Sequence, residues 1–152
     1  VEAMDKISRS IENDLNYWKR FNKRVAKHDT DDLERAIAYT TAVTAEHIEA
    51  NAIVAYTHTG DSIRKLVGLG TGCPIFAITD DEKTYNQLAL SFNSHPVLCE
   101  GGKTIEETIE KGIEKLKAEG ILEKGDIVVL AGGAKILPRQ KENKVIGGCV
   151  KI

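Results

Sequence analysis

The chain has 152 residues, with 21 Lys and Arg against 23 Asp and Glu, so its net charge is -2. This balance argues against a general nucleic-acid binder and against a protein that charge holds at a membrane surface. Apolar residues make up 41% of the chain and charged residues 29%, ordinary values for a globular protein. One domain of this length buries enough surface to fold without disulfides or a metal.

The cysteines and the apolar runs indicate where the protein resides. There are three cysteines, an odd number without CxxC spacing, which argues against a disulfide framework or a zinc knuckle and favours a reducing compartment. No apolar run approaches the roughly 20 residues of a membrane span, and there is no signal peptide. We therefore expect a cytoplasmic protein. Because the chain opens at Val1 directly in a helical pattern, we also expect a piece of a longer or trimmed chain.

The chain begins with a predicted amphipathic helix over residues 1–20. Its apolar residues recur every three or four positions, at Ala3, Met4, Ile7, Ile11 and Leu15. Residues 16–29 are basic, and we interpret them as a solvated linker that Trp18 and Phe21 anchor. Basic residues interleaved with aromatics also occur at nucleic-acid surfaces, but the overall charge does not support that alternative.

Helices and strands alternate through the rest of the chain. An alanine-rich helix begins near Thr30, which is its predicted N-cap. Continuous apolar runs are typical of parallel strands covered on both faces. They predict strands at 52–56, 74–79, 96–99 and 126–131. Helices are predicted between these strands over 63–69, from Asp80 or Asp81, and from Thr104 to Gly120, and a last edge strand is predicted within 144–152.

This order predicts a three-layer α/β/α sandwich of about five strands, mostly parallel, with the last strand a candidate for antiparallel pairing. Ligands in such sheets bind beyond the carboxyl ends of the strands. Residues 57–62 lie at one of these ends, where a strand passes into a helix. Hydroxyls and free backbone N–H groups at a helix start can bind an anion. The alternative is an ordinary turn whose hydroxyls satisfy its own backbone.

The predicted anion site has contributions from two segments. Thr57, Thr59 and Ser62 would supply hydroxyl donors, the N–H groups of Gly60 to Ser62 would point at the anion, and His58 would add charge when protonated. Lys135 and Arg139 follow the fourth strand and would face the turn across the same sheet edge; the alternative is a solvated basic loop. Asp61 opposes an anion there, so we expect either a monophosphate ligand or a lapsed site, and a tight bisphosphate site is less favoured.

No catalytic constellation is visible in the sequence. The four histidines are far apart, and no Ser-His-Asp or Cys-His set can be recognised. The acidic run 80–82 has oxygen ligands suited to Mg²⁺, but the start of a helix explains it without a metal. The segment after Gly132 lacks the spacing of a P-loop. We therefore predict no catalytic residue and no metal site in this chain.

The chain resembles the pyruvate kinase family over nearly its whole length. Residues 1–7 are similar to the helix that closes the catalytic barrel of that enzyme, and the remainder is similar to its C-terminal α/β domain. The matching segments, in order, are the strand 52–57, the turn 59–62 in place of the family's Ser/Thr-Gly-x-Ser/Thr, the CPI-x-A-x-T strand 73–79, and segments 87–90 and 125–129.

The chain also departs from the family pattern at three places. Residues 69–71 replace the frequent Tyr-Arg-Pro, Phe92-Asn93 replaces the usual Trp-Gly, and the loop after Gly133 lacks the Gly/Thr-rich form of bisphosphate-regulated members.

The resemblance implies a connector at 1–29 and an α/β domain at 30–152 that regulates and assembles a pyruvate kinase. It implies a phosphorylated effector, the enzyme's own barrel and further copies of the subunit as partners, with neither nucleic acid nor membrane. Mg²⁺ and K⁺ are implied only for the intact enzyme, whose catalytic residues lie in the barrel, so no cofactor is expected in this chain. The alternatives are a free-standing phosphometabolite-binding protein without a barrel and, with less support, a small independent enzyme.

Overall fold

The secondary structure follows the predicted order of helices and strands. A computed structural model describes residues 2–14, 16–25, 33–132 and 147–151. The helices in these ranges are α1 (Glu2–Asp14), α2 (Tyr17–Val25), α3 (Leu33–His47), α4 (Asp61–Leu69), α5 (Glu82–Leu88) and α6 (Ile105–Ala118). The strands are β1 (Ala52–Tyr56), β2 (Ile75–Thr79), β3 (Ser94–Leu98), β4 (Ile127–Gly132) and β5 (Gly147–Lys151).

The strands form one sheet in the order β3-β2-β1-β4-β5. Neighbouring strands from β3 to β4 run parallel, whereas β5 pairs antiparallel with β4 at the edge. All five residues of β2 are buried, as its continuous apolar sequence predicts for a strand covered on both faces. The predicted α/β sandwich, mostly parallel with an antiparallel last strand, is confirmed.

Each face of the sheet carries its own apolar core. On one face the core includes Phe21 of α2, Ala42 of α3, Ile63 of α4 and Leu88 of α5. On the other face α6 packs Ile109 and Leu116 against the alternate residues of the strands. Alternation of side chains along each strand divides the residues between the two layers.

Caps define both ends of α6 and the start of α5. The side chain of Asp81 accepts a hydrogen bond from the Thr84 N–H at 2.7 Å, and that of Thr104 accepts one from the Glu107 N–H at 3.2 Å. Gly120 follows α6 with φ at +69°, a left-handed conformation that favours glycine. These three sequence-based boundaries are confirmed, with Asp81 rather than Asp80 as the cap of α5.

The described part of the basic segment after α1 is a helix, α2, rather than a solvated linker. Phe21 of α2 is completely buried, and its ring contacts Trp18 edge-on at 5.5 Å and Tyr39 of α3 at 6.3 Å. A Cβ at Gly72 would lie 2.5 Å from Trp18 Nε1, so the indole requires a glycine beneath it. Aromatics at residues 17, 18 and 21 share one helical side, which the charges between them obscured.

Other differences from the sequence-based elements are small. The predicted first helix ends at Asp14 instead of residue 20, and β3 begins two residues before the predicted strand. Leu90 lies beyond the end of α5 and is 90% exposed. The predicted cap at Thr30 and the apolar position of Leu15 lie outside the described residues.

Among the helices that the structure describes, none has the length and apolar character needed to cross a membrane.

Candidate functional site

The reversal of strand order lies between β1 and β4. From β1 the chain passes through α4 and α5 to β2 and β3 on one side, and then through α6 to β4 on the other side. Tyr56 at the end of β1 pairs with Gly132 at the end of β4, so the carboxyl ends of these two strands lie side by side. Crevices at such reversals are the usual ligand sites of open α/β sheets.

Residues 57–62, the β1–α4 turn, are closed by their own hydrogen bonds. The buried Thr57 accepts a hydrogen bond from the Gly60 N–H through Oγ1 at 2.9 Å. Gly60 has φ at +83°, which a residue with a side chain rarely adopts. In this structure the Gly60 N–H is thus engaged within the turn, by the Thr57 hydroxyl.

The other two hydroxyls of the turn, those of Thr59 and Ser62, differ in their hydrogen bonding. Thr59 Oγ1 donates to Asp61 Oδ2 at 3.1 Å and lies 3.5 Å from the Asp61 N–H. Ser62, in the first turn of α4, makes no side-chain hydrogen bond within the described part of the chain, and it is half-buried. Ser62 is thus the hydroxyl best placed to bind a ligand.

Arg64 compensates the charge of Asp61, which sequence reasoning had counted against an anion. Its Nη1 lies 2.8 Å from Asp61 Oδ1 and also donates to the Thr59 carbonyl at 3.1 Å, while Nη2 donates to Gln87 Oε1 at 3.0 Å. The guanidinium therefore lies directly over Gly60. The spacing of Asp61 and Arg64 on one helix face could have indicated the pair.

A second polar cluster joins the turn to the start of α5. Asp80 Oδ1 accepts from His58 Nδ1 at 2.8 Å and from the Tyr56 hydroxyl at 3.3 Å. The His58 hydrogen bond is the main reason that the pKa of Asp80 lies below its ordinary value. Burial, followed by the charge of Asp80, raises the pKa of Tyr56. Thr84 adds a further link, because its hydroxyl donates to the His58 carbonyl at 2.8 Å.

The acidic run 80–82 is used structurally. Asp80 binds His58, and Asp81 caps α5, where hydrogen bonds from Thr84 lower the pKa of its carboxyl. Within the ranges that the structure describes, no group of three His, Cys, Asp or Glu side chains is arranged to hold a metal ion.

Comparison with known sequences decides the family. The family described as "Pyruvate kinase, alpha/beta domain" matches residues 35–145. The chain belongs to this family. It is 33% identical over 135 residues to a pyruvate kinase of Clostridium acetobutylicum and 32% identical over 133 residues to one of Thermotoga maritima. Each match covers 88% of this chain but 28% of the relative, so the chain spans less than a third of the length of these pyruvate kinases.

The pyruvate kinase α/β match includes both segments of the predicted anion site. The β1–α4 turn and the positions of Lys135 and Arg139 all lie within 35–145. Lys135 and Arg139 fall outside the described residues, so their approach to the turn stays a prediction. The same applies to the roles assigned to Thr57, His58, Thr59, Gly60 and Ser62 in binding a phosphate.

Proposed function

We propose that this chain is a regulatory and assembly domain of a pyruvate kinase. In the intact enzyme, a separate barrel would transfer the phosphoryl group of phosphoenolpyruvate to ADP and would hold the Mg²⁺ and K⁺. The observation that carries the proposal is the family match over 35–145, which includes the turn beside the strand-order reversal. The thiols of Cys73 and Cys99 are free, in keeping with the cytoplasmic location that we propose.

The proposed ligand is a phosphorylated metabolite bound at the β1–α4 turn. The uncommitted Ser62 hydroxyl and the first N–H groups of α4 are donors suited to a phosphate. The Arg64–Asp61 pair reduces the repulsion that Asp61 would otherwise exert. Lys135 and Arg139 would supply further positive charge. A monophosphate fits this combination better than a bisphosphate, because part of the available positive charge is already balanced by Asp61.

Regulation further requires that the domain communicates with the barrel. The apolar residues of α1 are exposed, with Met4 at 73%, Ile7 at 59% and Ile11 at 52%. This helix precedes the matched region and resembles the helix that closes the family's barrel, so we propose that its apolar side packs on the barrel. An effector would then regulate the enzyme only by binding two states of the assembly with different affinities.

Assembly is proposed to involve the outer edge of β5. In the described sheet β5 pairs with β4 on one side and is the last strand of the order. Unpaired N–H and C=O groups along an edge strand can pair with another chain. The opposite edge strand, β3, carries Pro96, which lacks an N–H and opposes such pairing.

Calorimetric titration of the chain with a sugar monophosphate, a nucleoside monophosphate and a sugar bisphosphate tests the proposed ligand. We expect binding of a monophosphate and a loss of about tenfold in affinity for Ser62→Ala, the size of one hydrogen bond to a charged group. Ser10→Ala, on the exposed surface of α1, is the matched control. If none of the three binds, or if the two serine variants bind alike, the proposed site is wrong.

A further inference from the structure

The β1–α4 turn and α4 are joined to α5 and to Asp80, which precedes α5, by three hydrogen bonds of different kinds. Thr84 Oγ1 donates to the His58 carbonyl and Arg64 Nη2 donates to Gln87, and neither bond involves a group that titrates near neutral pH. The third joins His58 Nδ1 to Asp80 Oδ1 at 2.8 Å, and it includes an imidazole. Histidine is the side chain whose ordinary pKa, about 6.5, lies in the physiological range.

We propose that the His58–Asp80 pair is a proton-operated tether that fixes the β1–α4 turn to the start of α5. When the imidazole is protonated, the Nδ1–H···Oδ1 bond joins two opposite charges. When the ring loses its Nε2 proton, the same Nδ1–H still donates, but the bond is no longer an ion pair. Charge-assisted hydrogen bonds are roughly twice as strong as neutral ones, so proton loss weakens the tether without removing it.

Charged and titratable groups lie around the imidazole on β1, α4 and α5 and just before α5. Asp80 is the nearest carboxylate, and Tyr56 on β1 donates to the same oxygen that His58 contacts. Asp81 at the start of α5 also interacts with the charge of His58, and Lys83 on the same helix partly offsets Asp81. On α4, the charges of Asp61 and Arg64 are paired with each other. Of these groups, Asp80 is the one that His58 contacts directly, so the pair is tested by changing Asp80.

The effect of the tether on ligand binding rests on the proposed function, because the tether would act on the anion site proposed at the β1–α4 turn. His58 follows Thr57 and precedes Thr59, so its charge and its fixation act directly on the turn. Below the titration midpoint of His58, the turn is held firmly and carries an additional positive charge. Above that midpoint, the hydrogen bond to Asp80 is weaker and the positive charge of His58 is absent. Binding of an anion should therefore weaken as the pH rises through this midpoint.

An NMR pH titration of the full chain without any ligand tests the tether. We expect the His58 ring protons of the wild type to titrate at a pH higher by about 0.5 to 1 than in Asp80→Asn, roughly a three- to tenfold change in proton affinity at this partly exposed pair. The amides of Thr59 to Ser62 should shift with the same midpoint in the wild type. The ring signals of His47 and His95 serve as internal controls and should be unaffected by the Asp80→Asn substitution.

Equal His58 midpoints in the two proteins would overturn the proposal, and so would turn amides that do not respond to pH with the His58 midpoint. If Asp80→Asn fails to fold, His58→Gln decides, because the pH response of the turn amides should disappear in that variant. If the turn amides of His58→Gln still respond to pH, the proposed tether is wrong.

Sulfate, whose charge is constant near neutral pH, separates the tether from the proposed function. We expect weaker sulfate binding at about pH 8 than at about pH 6 in the wild type, and no difference in His58→Gln. Binding with no pH dependence in the wild type would contradict the regulatory consequence. An absence of sulfate binding at both pH values would count against the proposed anion site, while the ligand-free titration would still decide the tether.

Discussion

Gly112 and Gly68 are helix glycines with opposite surroundings, and they show how closely the layers pack. A Cβ at Gly112 of α6 would overlap Cδ1 and Cγ1 of Ile78, whereas a Cβ at Gly68 of α4 would meet no atom within 4 Å. Ile78 is fully buried in β2, so its side chain can move only by displacing other core residues. Gly112 therefore sets the distance between α6 and the sheet.

We expect Gly112→Ala to lower the free energy of unfolding by about 1–2 kcal/mol. A Cβ far inside the van der Waals distance of Ile78 Cδ1 places the overpacking cost in the upper part of its usual range, at about 2–3 kcal/mol, and the helix propensity of alanine offsets about 1 kcal/mol of it. Gly68→Ala, the matched control, should raise stability by about 0.5–1 kcal/mol. Urea denaturation measures both. A Gly112→Ala protein as stable as the wild type would contradict the close approach of α6.

The carboxyl of Asp80 predicts an acid dependence of stability. Its pKa is lower in the folded protein than its ordinary value, because His58 hydrogen-bonds to its charged form. Its contribution is therefore complete above about pH 4, the ordinary value for Asp, and is lost as the pH falls through the lowered folded value. Solvent screening limits the effect to below about 1 kcal/mol.

Urea midpoints between about pH 3 and about pH 6 test this dependence. Asp80→Asn should lose less stability on acidification than the wild type does. Glu110→Gln, an exposed substitution on α6, should retain the wild-type dependence. If Asp80→Asn and the wild type lose stability equally, the His58 interaction does not stabilise the folded state.

At the scale of single residues, local signals were readable in the sequence and long-range pairings were not. The caps at Asp81 and Thr104 follow from residue type and spacing, and both are confirmed. The bond between His58 and Asp80 joins positions 22 residues apart, and that between Arg64 and Gln87 joins positions 23 apart. Such pairs depend on how α4 and α5 pack together, which no local pattern encodes.

At the scale of elements, α2 shows how charge can conceal a core helix. Its basic residues suggested a solvated linker, yet Phe21 is among the largest fully buried side chains of the described residues. Trp18 and Tyr39 pack against the Phe21 ring, and Tyr17 contacts Phe92 at 5.9 Å. The helical spacing of the aromatics was the informative signal, and net charge was the misleading one.

Truncation of Phe21 tests the contribution of α2. We expect Phe21→Ala to lower the free energy of unfolding by about 3–5 kcal/mol, the usual cost of removing a buried aromatic side chain. Lys19→Ala on the exposed side of α2 should change it by less than about 0.5 kcal/mol. Chemical denaturation followed by far-ultraviolet circular dichroism measures both. A loss for Phe21→Ala no larger than for Lys19→Ala would show that α2 is not part of the core.

At the scale of the whole molecule, the fold class followed from the alternation of helices with continuous apolar strands. The order of strands in the sheet did not, because local periodicity does not say which strands become neighbours. The structure places β1 beside β4, so Tyr56 and Gly132 at the ends of these strands are neighbours. The division into 1–29 and 30–152 stays a prediction, although Phe21 is packed in the core of the larger part.

The outer edge of β5, the last strand of the described sheet, and the apolar side of α1 predict that the isolated chain self-associates. Light scattering at micromolar concentrations should give a mass above that of the monomer, increasing with concentration, because edge pairing and apolar burial both favour association. A monomeric mass at every concentration would contradict assembly through this domain by itself.

An anion site at the β1–α4 turn is the central feature of the proposed function. Amide NMR during a titration with phosphorylated metabolites tests it directly. We expect the amides of Thr59 to Ser62 to shift and saturate together with a monophosphate, since they precede or begin α4 beside the strand-order reversal. Tight binding that shifts other amides and leaves those of Thr59 to Ser62 unchanged would contradict an anion site at this turn.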